Sequence, residues 1–193
     1  MMAGSHVALG AAAWLAAAPL FAQPAVAPLP LAVAALGALM PDIDHPSSWV
    51  GKRCRPFSLL LTRLLGHRGA THSLLAAAAC FWLLLRPELP LTLSAPFVVG
   101  YLSHLGADLL TPGGLRLAWP LKGTWSLPLC RTGSAFEPLL VAIILSWAWS
   151  GADGMERMKA GLRELGVCEL PFQTPGLCSP GPAGARLAAV ARP

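Results

Sequence analysis

The sequence contains few charged residues for its length. They make up 12% of the 193 residues, whereas hydrophobic residues make up 55% and the mean hydropathy is +0.59. Soluble domains carry about 25% charged residues, because a water-facing surface is difficult to build from fewer. The composition therefore favours a membrane protein over the main alternative, an alanine-rich soluble helical domain.

Several motifs of common enzymes and metal sites are also absent. The five cysteines form no Cys-x-x-Cys pair, which argues against a thiolate metal cage or a thioredoxin-type site. Neither Gly-x-Ser-x-Gly nor His-Glu-x-x-His occurs, so serine hydrolases and the common zinc proteases have no support. The net charge is +5, but the basic residues are scattered between apolar runs rather than gathered in a nucleic-acid patch. We therefore expect the basic residues to face anionic lipid head groups, and we expect no nucleic-acid partner.

The first part of the chain lacks basic residues entirely. No Lys or Arg precedes Lys52, whereas a secretory signal peptide normally opens with one or more of them. The apolar stretch near the N-terminus is thus predicted to stay in the protein as its first helix. Its removal as a signal peptide is the alternative.

Long apolar segments are what the sequence has instead. They do not alternate with polar residues as β-barrel strands do, so helices are the better interpretation. We predict an all-α fold, a multi-pass membrane bundle of about four to five apolar helices, over residues 1–150. Residues 151–193 are predicted to form an amphipathic segment and a Pro/Gly-rich, disordered tail. The five apolar segments are Val7–Phe21, Ala25–Met40, Leu74–Leu85, Leu91–Leu110 and Phe136–Trp149.

The connections between these segments predict an orientation. If all five segments cross the membrane, the two long connections, residues 41–73 and 111–135, share one side. Most basic residues of residues 1–150 lie in them, so the positive-inside rule places that side in the cytoplasm. The basic tail falls on the opposite side, which leaves open whether the fifth segment crosses. An amphipathic stretch, Pro56–Leu65, is predicted to lie in the membrane interface.

The same alternation brings polar residues from several helix ends to one membrane face. His104 and Asp108 are four residues apart, so they share a face of one helix. Two aspartates follow the second segment, where the helix dipole disfavours negative charge and a cation would stabilise it. Each residue alone could be an ordinary interfacial or turn residue, but ionisable groups near membrane depth are costly and usually functional. The set is His6, Asp42, Asp44, His45, His67, His72, His104, Asp108 and Glu137.

Five motifs resemble, in order and spacing, those of the YdjM-type membrane-bound metal-dependent hydrolases of bacterial inner membranes. The resemblance covers roughly residues 4 to 140, and the ordered set is more specific than any one motif. It implies a multi-pass helical protein with a hydrolase activity whose substrate is not settled. The motifs are GSHVALG, LMPDIDHPSSWVG, GHRGATHSLL, GYLSHLGADLLTPGGLRLAWPL and RTGSAFE.

The leading hypothesis is hydrolysis by a metal-activated water. The ion is predicted to be zinc, with manganese or iron as alternatives, because imidazole and carboxylate together suit these metals better than calcium. The predicted substrate is an ester or phosphoester of a lipid or amphiphile. Glu137 is a candidate general base or bridging ligand, and Arg68 a candidate for stabilising a developing oxyanion. The predicted ligands are His6, Asp44, His67, His72, His104 and Asp108, with Asp42 as a weaker ligand or an orienting residue.

Two alternatives stay open at this point. A metal-independent lipid phosphatase with a histidine nucleophile would fit the sequence HLGAD at His104–Asp108, although its upstream basic residues are missing. A non-catalytic metal-binding membrane scaffold or transport component fits the composition equally well. Polar residues at helix ends, rather than in paired interrupted helices at the membrane midplane, argue against a transporter.

Overall fold

The structure is a computed structural model, and it describes residues 1–65, 69–121 and 123–150. The predicted amphipathic segment and tail, residues 151–193, lie outside the described residues. So do His67 and Arg68, which we predicted as a metal ligand and a catalytic residue.

The described residues form seven α-helices and no β-strand, which confirms the all-α class. Short 3-10 turns follow α1 and α2 and precede α5. A single bridge pairs Leu115 with Trp125 in the connection before the last helix. Each of the five apolar segments contains one helix. The helices are α1 (Ala3–Ala17), α2 (Pro28–Leu39), α3 (Trp49–Arg53), α4 (Arg55–Leu65), α5 (Leu74–Leu84), α6 (Leu91–Leu109) and α7 (Phe136–Ser150).

Local sequence explains where several helices begin. Pro28 is the first residue of α2, a position where its fixed φ suits the helix and its missing N–H costs nothing. Ser73 precedes α5 and its hydroxyl accepts a hydrogen bond from the Ala76 N–H. Ser48 plays the same part for α3, accepting from Gly51 at 2.8 Å.

Helix α6 lies at the centre of the bundle and packs against α1, α2 and α5, while α7 packs against α1. The closest approach is between α2 and α6, where glycines replace side chains. A Cβ atom on Gly100 would lie 2.0 Å from the Ala34 carbonyl oxygen, and one on Gly37 would lie 2.2 Å from the Phe97 carbonyl oxygen. The backbones of α2 and α6 can therefore touch only because both positions are glycine.

The membrane assignment rests on fewer helices than the sequence predicted. Among the described residues, one helical stretch, Ala3–Phe21, is long and apolar enough to cross a membrane. Two further apolar helices, α5 and α7, are shorter than a membrane span. The number of spans, four to five, thus stays a prediction.

Two helices expose apolar side chains on the outside of the bundle. On α5, Phe81 and Trp82 are more than half exposed, and on α7 so are Ile143 and Trp147. Contiguous exposed apolar surface of this kind is typical of a protein–protein or membrane contact. The outer faces of α5 and α7 are therefore candidate surfaces for a membrane or for another protein.

A Gly100→Ala substitution is expected to lower stability by about 1–3 kcal/mol, because the added methyl group forces α2 away from α6. Thermal unfolding of the detergent-purified protein measures the effect. Gly106→Ala is the control on the same helix, where an added Cβ would meet nothing within 4 Å. This control is expected to be neutral or slightly stabilising, since alanine favours helix over glycine. Equal unfolding temperatures for the two variants would contradict the packing argument.

Candidate metal centre

Four helix ends meet in one polar cluster. His6 lies in the first turn of α1, Asp42 in the 3-10 turn after α2, and His72 directly before α5. His104 and Asp108 lie in the last two turns of α6. Their potential ligand atoms form two overlapping groups, in each of which all atoms lie within 4.8 Å of one another. These groups are His6, His104 and Asp108, and Asp42, His72 and His104.

Four of these side chains face a common centre. His72 Nε2 and His104 Nε2 are 3.2 Å apart. Asp42 Oδ1 lies 4.0 Å from the first nitrogen and 3.8 Å from the second, and Asp108 Oδ2 lies 3.9 Å from each. Around a tetrahedral zinc ion with bonds of about 2.0–2.1 Å, neighbouring ligand atoms lie roughly 3.3 Å apart. The two nitrogens, together with either oxygen, are therefore spaced closely enough to share one ion.

The hydrogen bond behind His104 fixes its tautomer. His104 Nδ1 lies 2.7 Å from the carbonyl oxygen of Ala38 in α2. A carbonyl oxygen only accepts hydrogen bonds, so Nδ1 carries the proton and donates it. In the neutral imidazole, Nε2 then carries a lone pair directed at the centre, as a metal ligand does.

A relay of hydrogen bonds gives His72 the same tautomer. The Thr71 hydroxyl donates to Asp44 Oδ2, since an ionised carboxylate only accepts. The one hydroxyl hydrogen is thereby used, so the Thr71 oxygen accepts from His72 Nδ1, 2.9 Å away. In the neutral imidazole, His72 Nε2 then also carries a lone pair directed at the centre. Such carboxylate-supported histidines are common behind protein metal ions.

The two inward lone pairs are the feature that calls for a cation. Two imidazole nitrogens that both lack hydrogen cannot bond to each other, and at 3.2 Å their lone pairs repel. Both rings are fully buried, so water does not screen the repulsion. A positive centre between them removes it. Carboxylate oxygens of Asp42 and Asp108 lie on two sides, and Asp108 also accepts a hydrogen bond from the N-terminal ammonium at 2.8 Å. Two nitrogens with carboxylate oxygens form a donor set that suits zinc, manganese or iron.

His6 extends the cluster on the side of Asp108. Its ring stacks on that of His104 with centroids 3.7 Å apart, and its Nε2 lies 3.3 Å from Asp108 Oδ1. Among the described residues, its buried Nδ1 has no hydrogen-bond partner. The two candidate groups share His104, whose second nitrogen is bound to Ala38. A single imidazole nitrogen serves one ion, so both groups are parts of one centre.

The structure places Asp44, which we predicted as a ligand, and Asp42, predicted as a weaker ligand or an orienting residue, on different sides of His72. Asp42 faces the inner nitrogens of the histidines, whereas Asp44 Oδ2 lies 3.8 Å from the outer nitrogen, Nδ1, of His72. For this centre the geometry favours Asp42 as a ligand and Asp44 as the residue that orients His72. These positions are the reverse of the roles the sequence indicated.

Glu137 lies at the start of α7 and is tied to the protein backbone. Its Oε1 accepts from the Met2 N–H and its Oε2 from the Gly133 N–H, both at 2.7 Å. Neither candidate ligand group among the described residues contains it. These bonds favour a positioning role between α1 and α7 over the predicted role as base or bridging ligand.

Comparison with known proteins identifies the family. The sequence profile of the YdjM inner membrane proteins matches residues 1–165. The chain belongs to the YdjM family. The relationship predicted from the five motifs is thereby confirmed, and with it an inner membrane protein family. No solved structure matches the fold.

Three curated relatives show how far the similarity extends. The chain is 41% identical over 123 residues to the inner membrane protein YdjM of Escherichia coli (strain K12) and to that of Shigella flexneri. This alignment covers 60% of the chain and 62% of the relatives, so the chain spans about 62% of their length. It is 35% identical over 143 residues to the uncharacterized protein YvsG of Bacillus subtilis (strain 168), covering 74% of the chain and 88% of YvsG. The first two names state an inner-membrane location, and none of the three names states an activity.

The residues that orient the site were missed by sequence reasoning. Thr71 holds both His72 and Asp44, and the Tyr101 hydroxyl in turn donates to the Thr71 carbonyl at 2.6 Å. Thr71 and Asp44 are 27 residues apart, and no spacing rule connects a hydroxyl to a carboxylate over that distance. The one available signal was the position of Thr71 directly before a candidate ligand.

A Thr71→Val substitution is expected to weaken metal binding by about 10–100-fold, because it removes the hydroxyl that orients His72. Competition with a coloured chelator measures the affinity of the detergent-purified protein for zinc. Thr71→Ser keeps the hydroxyl and is expected to bind zinc like the wild type. The relay is disproved if the valine variant keeps its affinity while remaining folded.

Proposed function

We propose that the chain is a membrane-bound, metal-dependent hydrolase of a lipid or amphiphile ester or phosphoester. The observation that carries the proposal is the pair of inward lone pairs on His72 and His104, flanked by two carboxylates. Such a centre has the donors of zinc, manganese or iron sites, with zinc as the first choice. We further propose that several helices cross the membrane and that the centre lies at its cytoplasmic face.

A bound ion of this kind would supply a nucleophile at neutral pH, because it lowers the pKa of a coordinated water from its bulk value to about 7. The residues around the centre have different roles. Three of them, His72, His104 and Asp108, are fully buried and hold the centre from inside the protein. Asp42 is 19% exposed, so the opening towards substrate lies on its side.

An apolar groove between α5 and α6 supports a lipid-like substrate. Its volume is about 540 Å³, within the range of ligand sites, and its lining is almost entirely apolar. One end is formed by Thr71, the residue that bonds to His72, and the other by Leu83 and Phe97. From Leu75 to Leu83 the groove runs about 12 Å along the helix. One leaflet measures about half of the roughly 30 Å hydrocarbon core, so an acyl chain fits along this length.

The geometry gives less support to a histidine-nucleophile lipid phosphatase. In that mechanism an acid group supports the outer ring nitrogen while the inner one attacks. Here the outer nitrogen of His104 donates to the Ala38 carbonyl, and Asp108 lies on the side of the inner nitrogen. A metal-binding scaffold without activity has the same ligands as the hydrolase, and turnover distinguishes the two.

Wild-type protein purified in detergent is expected to contain stoichiometric zinc, manganese or iron by elemental analysis, and to hydrolyse lipid esters or phosphoesters. His72→Ala and Asp42→Asn are expected to lose most of both, because each removes a donor of the centre. Glu88→Gln is the carboxylate control, since Glu88 is exposed between α5 and α6 at a distance from the cluster.

The outcomes separate the possibilities. If the wild type contains metal that the His72→Ala variant lacks, but hydrolyses no ester, the result supports the scaffold. Hydrolysis that chelators do not inhibit, by purified protein that contains no metal, supports the phosphatase. Wild-type levels of metal and turnover in both variants would contradict the proposed centre.

The groove predicts a dependence on chain length. Ala79→Trp places a bulky ring in the groove and is expected to reduce hydrolysis of long-chain esters at least tenfold, with short-chain esters nearly unaffected. Ala78→Trp is the control, because Ala78 is also exposed on α5 but does not line the groove. An equal effect of Ala79→Trp on the hydrolysis of long-chain and short-chain esters would show that the groove does not bind the acyl chain of the substrate.

A further inference from the structure

Helix α4 turns its apolar side away from the protein. The side that faces the bundle carries Ser58, which is fully buried, and Thr62. Phe57, Leu60 and Leu64 lie on a different side and are 52%, 52% and 69% exposed. An amphipathic helix on a globular protein normally buries its apolar stripe against the core. The reversed arrangement indicates that something outside the described residues covers this stripe.

Basic side chains border the apolar stripe. The stretch from Trp49 to Leu64 contains four basic residues and no acidic residue. No ion pair to any of the four is found in the part of the chain that the structure describes. All four are exposed, so their charge is available to an anionic partner. They are Lys52, Arg53, Arg55 and Arg63.

Arg63 is three residues after Leu60 and so lies beside the apolar stripe of α4, while Arg55 is exposed at the first residue of the helix. An apolar face with basic residues beside it is the pattern of helices that lie in the plane of a membrane interface. Arg53 in α3 adds a further positive charge to this surface, and its guanidinium stacks on the Trp49 ring, 3.5 Å from the ring centroid. Tryptophan and arginine are both common at the level of lipid head groups.

We infer that α3 and α4 form a binding surface for anionic phospholipid, with Phe57, Leu60 and Leu64 among the acyl chains and Arg55 and Arg63 on the head groups. The partner is a lipid rather than a protein because the chain belongs to an inner membrane family and the surface combines apolar and basic residues. The inference does not depend on metal binding or on hydrolysis.

The surface is connected to the two aspartates through backbone contacts. The Thr62 hydroxyl, on the inner side of α4, donates to the carbonyl oxygen of Asp44. The Ser48 hydroxyl, at the start of α3, donates to the carbonyl oxygen of Asp42 at 2.8 Å. Lipid bound to α3 and α4 would therefore stabilise the two helix segments whose hydroxyl groups support the 3-10 turn Met40–Asp44, which carries both aspartates.

Native mass spectrometry of the full-length, delipidated protein tests the lipid surface. Wild type is expected to bind phosphatidylglycerol more tightly than phosphatidylcholine. In the double variant Arg55→Gln/Arg63→Gln this preference is expected to fall about fivefold per arginine, so roughly 25-fold in all. Arg86→Gln is the matched control, because Arg86 stacks on Trp82 beyond the far end of α5. It is expected to keep the wild-type preference.

Three results would overturn the inference. Wild type without preference for phosphatidylglycerol excludes an anionic-lipid surface, and an unchanged preference in the double variant places the lipid elsewhere. A dimer that is unaffected by lipid and disappears in Leu60→Ser/Leu64→Ser shows that a second copy covers the stripe. Because all four substituted side chains are exposed, these variants are expected to fold, which circular dichroism verifies.

Discussion

The repulsion between two buried nitrogen lone pairs is the constraint on which the site depends. His72 and His104 are each held from behind by a hydrogen bond that leaves no proton on the inner nitrogen. Neither ring can turn to relieve the repulsion without losing its outer hydrogen-bond partner, and both rings are fully buried. The protein thus stores an arrangement that is unfavourable alone and favourable around a cation.

The packing of the helices creates one of these hydrogen bonds directly. His104 reaches the Ala38 carbonyl because α2 and α6 are in backbone contact, and that contact exists because Gly100 has no side chain. Gly100 precedes His104 by one helical turn and lies against Ala34 and Ala38. The same small residue therefore determines the distance between two helices and the tautomer of a candidate ligand.

The sequence predicted the helices well because their apolar runs are long and bounded by proline, serine and glycine. It also predicted that His6, His72, His104 and Asp108 come from helix ends at one face, a consequence of chain alternation. The separate positions of Asp42 and Asp44 could not be predicted, since they depend on the 3-10 turn at Met40–Asp44. In that turn, residues two apart point to different sides of His72.

The support of the aspartates shows why the polar connection is built as it is. Hydroxyl groups of Ser48 and Thr62 bond to the backbone carbonyls of Asp42 and Asp44, and that of Thr71 to a carboxylate. Hydroxyls fix the turn without adding charge, so the negative charge of Asp42 stays directed at the centre rather than at a neighbouring cation. Arginine or lysine in their place would pair with the carboxylates and compete with the ion. The described basic residues of this connection, Lys52, Arg53, Arg55 and Arg63, are instead exposed on the outer surface.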